Sequence, residues 1–480
     1  MFFFPVLISI YFIGGLLVLF APQKAGRLIT RIVATALFFY GVTSISAYLQ
    51  SSGRFAFDFS APWISSLGSA FHFGTDGISY PLVLLTLFLG VIVSLISLPH
   101  TEGGGTEKVY WALLLWLLSG VVGVFASLDL LVFYIFWEVV LILMFFLIAL
   151  YGGENRKYAS MKFLIYTQFA SLVMLLAIID MYLIAGARSF DILQFSAFPY
   201  SGEIGLMLTL AFLFSFLVKM PAVPFHTWLP DAHVEAPTAG SIILAGVLLK
   251  MGAYGILRIP FTVFPDTIHQ IAYPLGIFAF VSILYGAFVS LAQDNLKRMI
   301  AYSSVNHMGY VLLGIAAASP LAIKGSVYEM VAHGLGAGLL FAVAGHIHDT
   351  HKTFSISSLK GLMKITPITS WFFVIGALAA MGLPTMAGFI AEFTIFTGAF
   401  AVYRSLILIP LIGVVVTAGY FIWTVQRSFW GSPAEGSSVT EPKTFSFWLP
   451  YVLLAAGLFF FGLWPSFLFK LIEHGQYLFG

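Results

Sequence analysis

The sequence predicts an all-α polytopic membrane protein with about 14 transmembrane helices, in which two five-helix repeats are inverted and helices 7 and 12 are broken. Three observations lead to this fold class. Of the 480 residues, 60% are hydrophobic and only 9% are charged, whereas soluble proteins carry about 25% charged residues. Apolar segments of about 20 residues, long enough to cross a bilayer, recur along the whole chain. Two of these segments are interrupted by proline and glycine.

The apolar segments define a single membrane domain over residues 1–480. The first segment, residues 2–20, has no preceding positive residue and no small-residue cleavage motif, so we interpret it as a transmembrane helix and not as a removed signal. The spans are 2–20, 28–50, 77–98, 109–128, 130–151, 159–185, 203–240 with a break, 241–260, 267–291, 296–317, 322–345, 367–401 with a break, 406–430 and 446–472.

The two breaks divide the chain into comparable halves. Helix 7 is interrupted at residues 220–224 (MPAVP) and helix 12 at residues 382–388 (GLPTMAG). Proline removes a helix donor and glycine loosens the backbone. Paired broken helices are typical of transporters with inverted repeats, although two unrelated proline kinks are the alternative. We therefore predict an N-terminal region (1–108, helices 1–3), a first repeat (109–260, helices 4–8), a second repeat (267–430, helices 9–13) and a C-terminal helix 14 (446–480).

The distribution of lysine and arginine predicts the orientation. Most of these residues lie in loops that follow odd-numbered helices, and such loops face the cytoplasm or its equivalent. Both termini are therefore expected on the outer side. This assignment leaves Lys219 and Lys250 as the only basic residues of the Lys/Arg type inside the membrane.

Three ionisable residues in the first repeat are candidates for function. Glu138 lies within the apolar run FYIFWEVVL, where an unpaired carboxylate would be costly. Lys219 at the first break is its expected partner, and a neutral Glu138 bonded to a carbonyl is the alternative. Burial favours a neutral lysine and a nearby carboxylate favours the ammonium, so moving one partner could switch Lys219. Snorkelling is the alternative for Lys219. Lys250 lies near the middle of helix 8.

Three residues of the second repeat extend this set. Glu392 follows the second break, again within a helix, and His307 and His333 lie in helices 10 and 11. Histidine takes up and releases protons near neutral pH. A lone helical histidine is often only structural, but these two lie between Lys250 and Glu392 in chain order. We predict that they carry protons along that route.

Other kinds of site are not supported by the sequence. His346, His348 and His351 resemble a metal cluster, but we interpret them as a solvated loop after helix 11, and we predict no metal. Because the chain has no cysteine, it holds neither a disulfide nor a thiolate-bound iron–sulfur cluster. No phosphate-binding or dinucleotide motif is present. The net charge of +2 forms no basic stripe, which argues against nucleic-acid binding.

A long motif indicates the family. Residues 219–233 (KMPAVPFHTWLPDAH), 235–241 (EAPTAGS), 248–250 (LLK), 297–304 (KRMIAYSS) and 382–384 (GLP) resemble the antiporter-like subunits of complex I and the Mrp antiporters. The resemblance covers helices 3–14. It implies a fourteen-helix fold and inverted repeats around a hydrated axis, with Glu138, Lys219, Lys250 and Glu392 at the family's key positions. Glutamate at position 392 resembles the M-type (chain 4) members, and too few residues follow helix 14 for the lateral helix of the L-type.

The resemblance implies a proton-translocating subunit of a quinone-reducing complex in an energy-transducing membrane. Such a chain belongs to a redox-driven translocase but performs no redox chemistry itself. It would hold no cofactor, with iron–sulfur clusters and flavin in partner subunits and quinone bound elsewhere in the complex. Expected partners are L-type and N-type antiporter-like subunits, small membrane subunits and the lipid bilayer. The first two helices and the histidine-rich stretch depart from the family, so NADH, ferredoxin, coenzyme F(420) and a hydrogenase all remain possible electron donors.

Two alternatives of other kinds stay open. One is a subunit of a Mrp-type sodium/proton antiporter or of a membrane-bound hydrogenase. The other is a structural spacer whose buried charges are inert.

Overall fold

The computed structural model describes residues 2–96, 104–200, 202–433 and 441–474, so the predicted C-terminal region extends beyond the described residues. The first part of the chain contains α1 (Phe3–Phe20), α2 (Gly26–Thr43), α3 (Ile45–Gln50), β1 (Ala56–Ile64), β2 (Ser69–Thr75), α4 (Ser79–Ile96), α5 (Glu107–Ala126), α6 (Leu130–Tyr151), α7 (Arg156–Ile184) and α8 (Ile192–Ser196).

The central part begins with a helix that stops abruptly and continues through a series of short helices. These elements are α9 (Gly202–Lys219), α10 (Trp228–Glu235), α11 (Thr238–Ile243), a π-helical turn (Leu244–Leu248), α12 (Leu249–Arg258), α13 (Pro260–Val263), α14 (Pro265–Leu291), α15 (Leu296–Ala316) and α16 (Pro320–His351).

The last part of the chain is again helical. Its elements are α17 (Leu362–Ile365), α18 (Pro367–Ala380), α19 (Ala387–Tyr403), α20 (Leu408–Thr424), a second π-helical turn (Val425–Phe429), α21 (Phe445–Leu463) and α22 (Pro465–Glu473).

The predicted all-α membrane fold class is confirmed. Twelve helical stretches among the described residues are long and apolar enough to cross a membrane. The helix α15 is not one of the twelve, and α18 is shorter than such a span. The count of fourteen and the inverted repeats stay predictions. Both predicted breaks exist, since α9 ends at Lys219 and α18 ends at Ala380, before α19 begins at Ala387.

Side-chain caps explain several helix starts. Asp129 accepts hydrogen bonds from the amides of Leu131 (3.0 Å) and Val132 (3.1 Å) at the start of α6. Asn295 caps α15 in the same way, and Ser319 caps α16. Polar side chains of this kind satisfy amides that have no partner within the helix.

Three features of the secondary structure differ from the sequence-based expectation. An antiparallel hairpin, β1 and β2, occupies part of the segment between helices 2 and 3, where no element was predicted. The helix α16 was predicted to end at residue 345 but continues to His351. Helix 14 was predicted as one span, yet the chain bends at Trp464 and α22 starts at Pro465, because proline cannot continue the hydrogen bonding of the preceding helix.

The core lies around α12 and α16. Residues 239–260 are buried throughout, and α16 packs against α11, α15, α18, α19 and α21. By contrast, α1, α2 and α7 expose many large apolar side chains on their outer faces. A helix that is apolar and buried all round belongs to the interior of a membrane bundle. Any ionisable group on α12 or α16 is therefore removed from lipid and enclosed by protein.

Candidate functional site

The first break holds Lys219 at the end of α9. Its side chain is 1% exposed, so it does not snorkel to the surface. The ammonium lies 5.6 Å from the ring centre of Trp137 and 5.3 Å from that of Phe163, within the range of cation–π attraction. The indole of Trp228 donates to the Val218 carbonyl at 2.9 Å, which satisfies an acceptor that the interrupted helix leaves free.

Glu138 acts on Lys219 electrostatically, but the two groups do not touch. Neither Glu138 Oε1 nor Lys219 Nζ has a hydrogen-bond partner among the described residues. Glu138 occupies a half-buried position of α6, and Tyr134, one turn earlier, lies next to it. Part of the Glu138 residue therefore faces the outside of the chain although its Oε1 atom is buried, whereas the lysine is enclosed completely.

Lys250 is fully buried at the centre of the bundle. Its ammonium donates to the Ala245 carbonyl of the π-helical turn, a type of turn that is frequent at functional sites. The same nitrogen lies 2.6 Å from His333 Nδ1 on α16. A helix–helix contact thus joins two of the predicted site residues directly.

His333 continues this contact toward α15. Its ring centre lies 5.4 Å from that of His307, and the Nε2 atoms of both rings are buried without a hydrogen-bond partner among the described residues. His307 Nδ1 lies 3.8 Å from Glu392 Oε1 on α19. Four of the six predicted residues, Lys250, His333, His307 and Glu392, therefore form one buried chain, which we call the polar axis.

The second break makes room for the carboxylate of Glu392. Gly382, which has a φ of 68°, lies beside this carboxylate, and a Cβ atom at Gly382 would be 2.7 Å from Glu392 Oε2. Only glycine adopts this backbone conformation without strain and leaves room for the carboxylate. The break therefore shapes the site as well as interrupting the helix.

Sequence reasoning missed one carboxylate in the polar axis. Glu329 on α16 is 1% exposed, and its Oε1 lies 3.1 Å from His307 Nδ1. It precedes His333 by four residues, the spacing that places two side chains on one helix face. That spacing, inside the apolar run SVYEMVAH, is the signal that could have identified it.

A small cavity adjoins these groups. Its volume is about 20 Å³, and its polar lining comes from Ser303, His307, Glu329 and His333. A space of this size accommodates roughly one water molecule. Water at this position could bridge two side chains that do not touch.

Lys297 is a buried basic residue in the first turn of α15. Its side chain is 3% exposed, and its ammonium donates to the carbonyls of Val234 (3.2 Å) and Ala236 (2.6 Å) at the end of α10. A cation at this end satisfies free carbonyls and the helix dipole. The next residue, Arg298, is by contrast substantially exposed.

Arg258 is likewise buried, at the end of α12. It is 3% exposed and pairs with Asp76 at 2.7 Å. Lys297 and Arg258 are therefore buried in the described part of the chain as well as Lys219 and Lys250, and the prediction of which basic residues lie inside the membrane stays a prediction. Arg258 differs from them because its charge is directly matched by a carboxylate.

The three clustered histidines lie on the last turns of α16 and not in a loop. His346 packs against the rings of Phe447 and Trp448, with ring centres 5.0 and 5.7 Å away. His348 stacks on Phe354. No group of three His, Cys, Asp or Glu side chains in the described ranges is placed to hold a metal ion.

Comparison with known proteins agrees with this architecture. A family model described as NADH:quinone oxidoreductase/Mrp antiporter matches residues 127–418. The chain is 42% identical over 439 residues to F(420)H(2) dehydrogenase subunit M of Methanosarcina mazei, covering 88% of this chain and 87% of that one. It is 39% identical over 452 residues to NADH-quinone oxidoreductase subunit M of Escherichia coli, covering 89% and 87%.

A solved structure extends the likeness to the whole fold. A chain of respiratory complex I from Thermus thermophilus with bound NADH superposes with a TM-score of 0.89 at 29% identity, covering 99% of both chains. The family expected from the motif around Lys219 is thereby confirmed, and both sequence relatives are M subunits. This chain belongs to the family of membrane subunits shared by NADH:quinone oxidoreductases and Mrp antiporters.

Proposed function

We propose that this chain translocates protons as an M-type subunit of a quinone-reducing respiratory complex. The observation that carries the proposal is the polar axis, in which the buried side chains of Lys250, His333, His307 and Glu392 follow one another across four helices. Ionisable groups in a membrane interior are costly and mark ion or proton routes. No redox centre is needed within this chain.

The first step of the mechanism lies at the pair Glu138 and Lys219. A neighbouring subunit that perturbs the half-buried Glu138 removes the counter-charge of Lys219, whose proton is then released more readily. Lys250 receives a proton and holds it at the centre of the bundle. A coupling of about 1–3 kcal/mol between such sites is enough to change occupancies 5- to 150-fold.

The second step moves the proton along the polar axis. Lys250 donates to His333 Nδ1, and the proton continues through the ring of His307 to the carboxyl group of Glu392. Each imidazole accepts a proton at one nitrogen and donates from the other. Glu392 then releases the proton or passes the change in charge to the next subunit.

The proposal also covers the partner subunits, the cofactors that they hold and the orientation of this chain in the membrane. We propose L-type and N-type antiporter-like subunits and small membrane subunits as partners, with flavin, iron–sulfur clusters and quinone held by other subunits. Both termini would face the outer side of an energy-transducing membrane. The electron donor is left open, since the names of the two relatives differ in this respect.

A direct test uses Glu138→Ala and Lys219→Ala in membrane vesicles that carry the assembled complex. We expect proton translocation to be lost while quinone reduction stays measurable, because the switch is broken but the redox subunits are intact. Glu203→Ala removes an exposed carboxylate at the start of α9 and serves as the matched control. Full translocation by assembled Glu138→Ala membranes would refute the proposed switch.

The same vesicles separate the remaining alternatives. Sodium-driven proton movement without any electron donor would favour the sodium/proton antiporter. Unchanged proton translocation after substitution of both Lys250 and Glu392 would favour a structural spacer.

A further inference from the structure

We propose that Glu329 is a second proton acceptor at the end of the polar axis and shares one proton with Glu392 through His307. The inference rests on the proposed function and deepens it. A single terminal carboxylate, as the sequence suggested, becomes a two-carboxyl centre.

Both carboxylates face one ring nitrogen, Glu329 within hydrogen-bond distance and Glu392 just beyond it. His307 Nδ1 lies 3.1 Å from Glu329 Oε1 and 3.8 Å from Glu392 Oε1. The two side chains come from different helices, α16 and α19, while the histidine comes from α15. At these distances the Nδ1 atom is hydrogen-bonded to Glu329, and Glu392 becomes the alternative acceptor of the same proton when its side chain moves closer to the ring.

The second oxygen of Glu329 indicates that this residue is more than a support for His307. Glu329 Oε2 is buried and has no hydrogen-bond partner among the described residues, and the side chain lines the small cavity beside His307 and His333. A buried oxygen without a partner is costly. Protonation of this oxygen, or a water molecule in the cavity, would relieve that cost.

Charge balance limits the pair to one negative charge. Lys250 is the buried cation that acts on Glu329 electrostatically, while Glu392 and Glu329 repel each other. Two carboxylates this close in a low-dielectric interior do not both ionise, and their protons come off as a coupled system. The centre therefore holds a proton whenever Lys250 supplies the only nearby positive charge.

The proposed transfer is balanced in protons and charge. When His307 is an imidazolium, its Nδ1–H bond breaks and an O–H bond forms on the Glu329 carboxylate, leaving a neutral ring and a neutral carboxyl group. Glu392, which holds the one proton of the pair before this step, then releases it, and the proton on Glu329 passes back through His307, or through water in the cavity, to the Glu392 carboxylate. Glu329 thus loads the centre and Glu392 empties it.

Several other titratable groups face this centre. These groups come from the helices packed around Glu329: Lys250 on α12, His307 and Tyr310 on α15, His333 on α16 and Glu392 on α19. Tyr420 on α20 acts electrostatically on Glu392.

The test compares Glu329→Gln, Glu329→Asp and the control Ser326→Ala in membranes with the assembled complex. Ser326 is buried on the same helix and donates to the Val311 carbonyl at 3.0 Å, but it does not titrate. We expect Glu329→Gln to slow proton translocation by at least about tenfold at unchanged quinone reduction, since positioned proton carriers contribute about 10²–10⁴-fold. Glu329→Asp should restore part of the rate, and Ser326→Ala should behave as wild type.

A spectroscopic measurement keeps the inference testable if Glu329→Gln fails to assemble. Infrared spectra of Glu392→Gln, recorded against pH, follow the C=O stretch of Glu329, the carboxyl that remains in the pair. If the two residues share a proton, this band should titrate at a different pH from the wild-type band. A band that does not move would overturn the sharing.

The outcomes also separate this inference from the proposed function. Normal translocation by Glu329→Gln, together with its loss in Lys250→Ala, would overturn the role of Glu329 alone. Normal translocation by Lys250→Ala would refute the function itself.

Discussion

His72 illustrates how single residues outside the membrane-spanning helices respond to pH. It lies on β2, with Nδ1 2.5 Å from Asp191 and Nε2 3.1 Å from Asp58. Burial alone would lower the pKa of His72, but the hydrogen bonds and charges of Asp191 and Asp58 outweigh burial and raise the pKa above its ordinary value. The imidazolium thus ties the hairpin to the segment before α8.

The raised pKa of His72 predicts a direction for the pH dependence. The stabilisation is complete below the ordinary histidine pKa of about 6.5 and is lost as pH rises through the raised value. We expect amide hydrogen exchange in β1 and β2, corrected for its intrinsic rate, to accelerate over that range. His72→Gln should flatten the profile, and an equal profile in both proteins would contradict this assignment.

At the residue scale, the sequence was informative wherever an ionisable group interrupts an apolar run. Lys250, His307, His333 and Glu392 were all identified in that way. Glu329 obeys the same rule and was missed because no motif marks it. The burial of Lys297 was not recognised for a different reason. A lysine at the start of a helix is expected to face solvent, and only the structure shows the carbonyl groups that surround it.

Close helix packing at Gly252 determines the geometry of the first break. A Cβ atom at this position on α12 would lie 2.5 Å from the Phe216 carbonyl oxygen and 2.7 Å from the Met220 nitrogen. Both atoms belong to backbone at the end of α9, so they cannot rotate away. The position of Lys219 therefore depends on a glycine two residues after Lys250.

We expect Gly252→Ala to destabilise the protein by about 1–3 kcal/mol, the usual cost of overpacking, and to lower proton translocation by displacing Lys219. Gly419→Ala is the matched control, because no atom of the described residues lies within 4 Å of a Cβ atom there and alanine favours a helix by about 0.5–1 kcal/mol. Thermal unfolding in detergent and translocation in vesicles measure the two effects. Equal behaviour of both variants would contradict the packing argument.

At the element scale, hydropathy predicted helices better than their ends. Windows of about 20 residues do not detect a hairpin whose strands have nine and seven residues. They also ended helix 11 too early, because His346, His348 and His351 appeared too polar for a helix that in fact continues through them.

At the scale of the whole molecule, composition and the motif around Lys219 were sufficient to predict the fold class and the family. The polar axis could not be derived in the same way. It depends on contacts among α12, α15, α16 and α19, which are distant in sequence, and chain order alone does not establish that Lys250 touches His333. The orientation of the termini and the inverted repeats remain predictions.

The central claim is that protons pass through the polar axis, and Lys250 is its buried first member. The most direct measurement is the number of protons translocated per electron delivered to quinone in vesicles with the assembled complex. Lys324→Ala removes a lysine that pairs with the half-exposed Glu473 and should retain the wild-type ratio. Lys250→Ala should reduce quinone while translocating few protons, and a wild-type ratio in that variant would contradict the account.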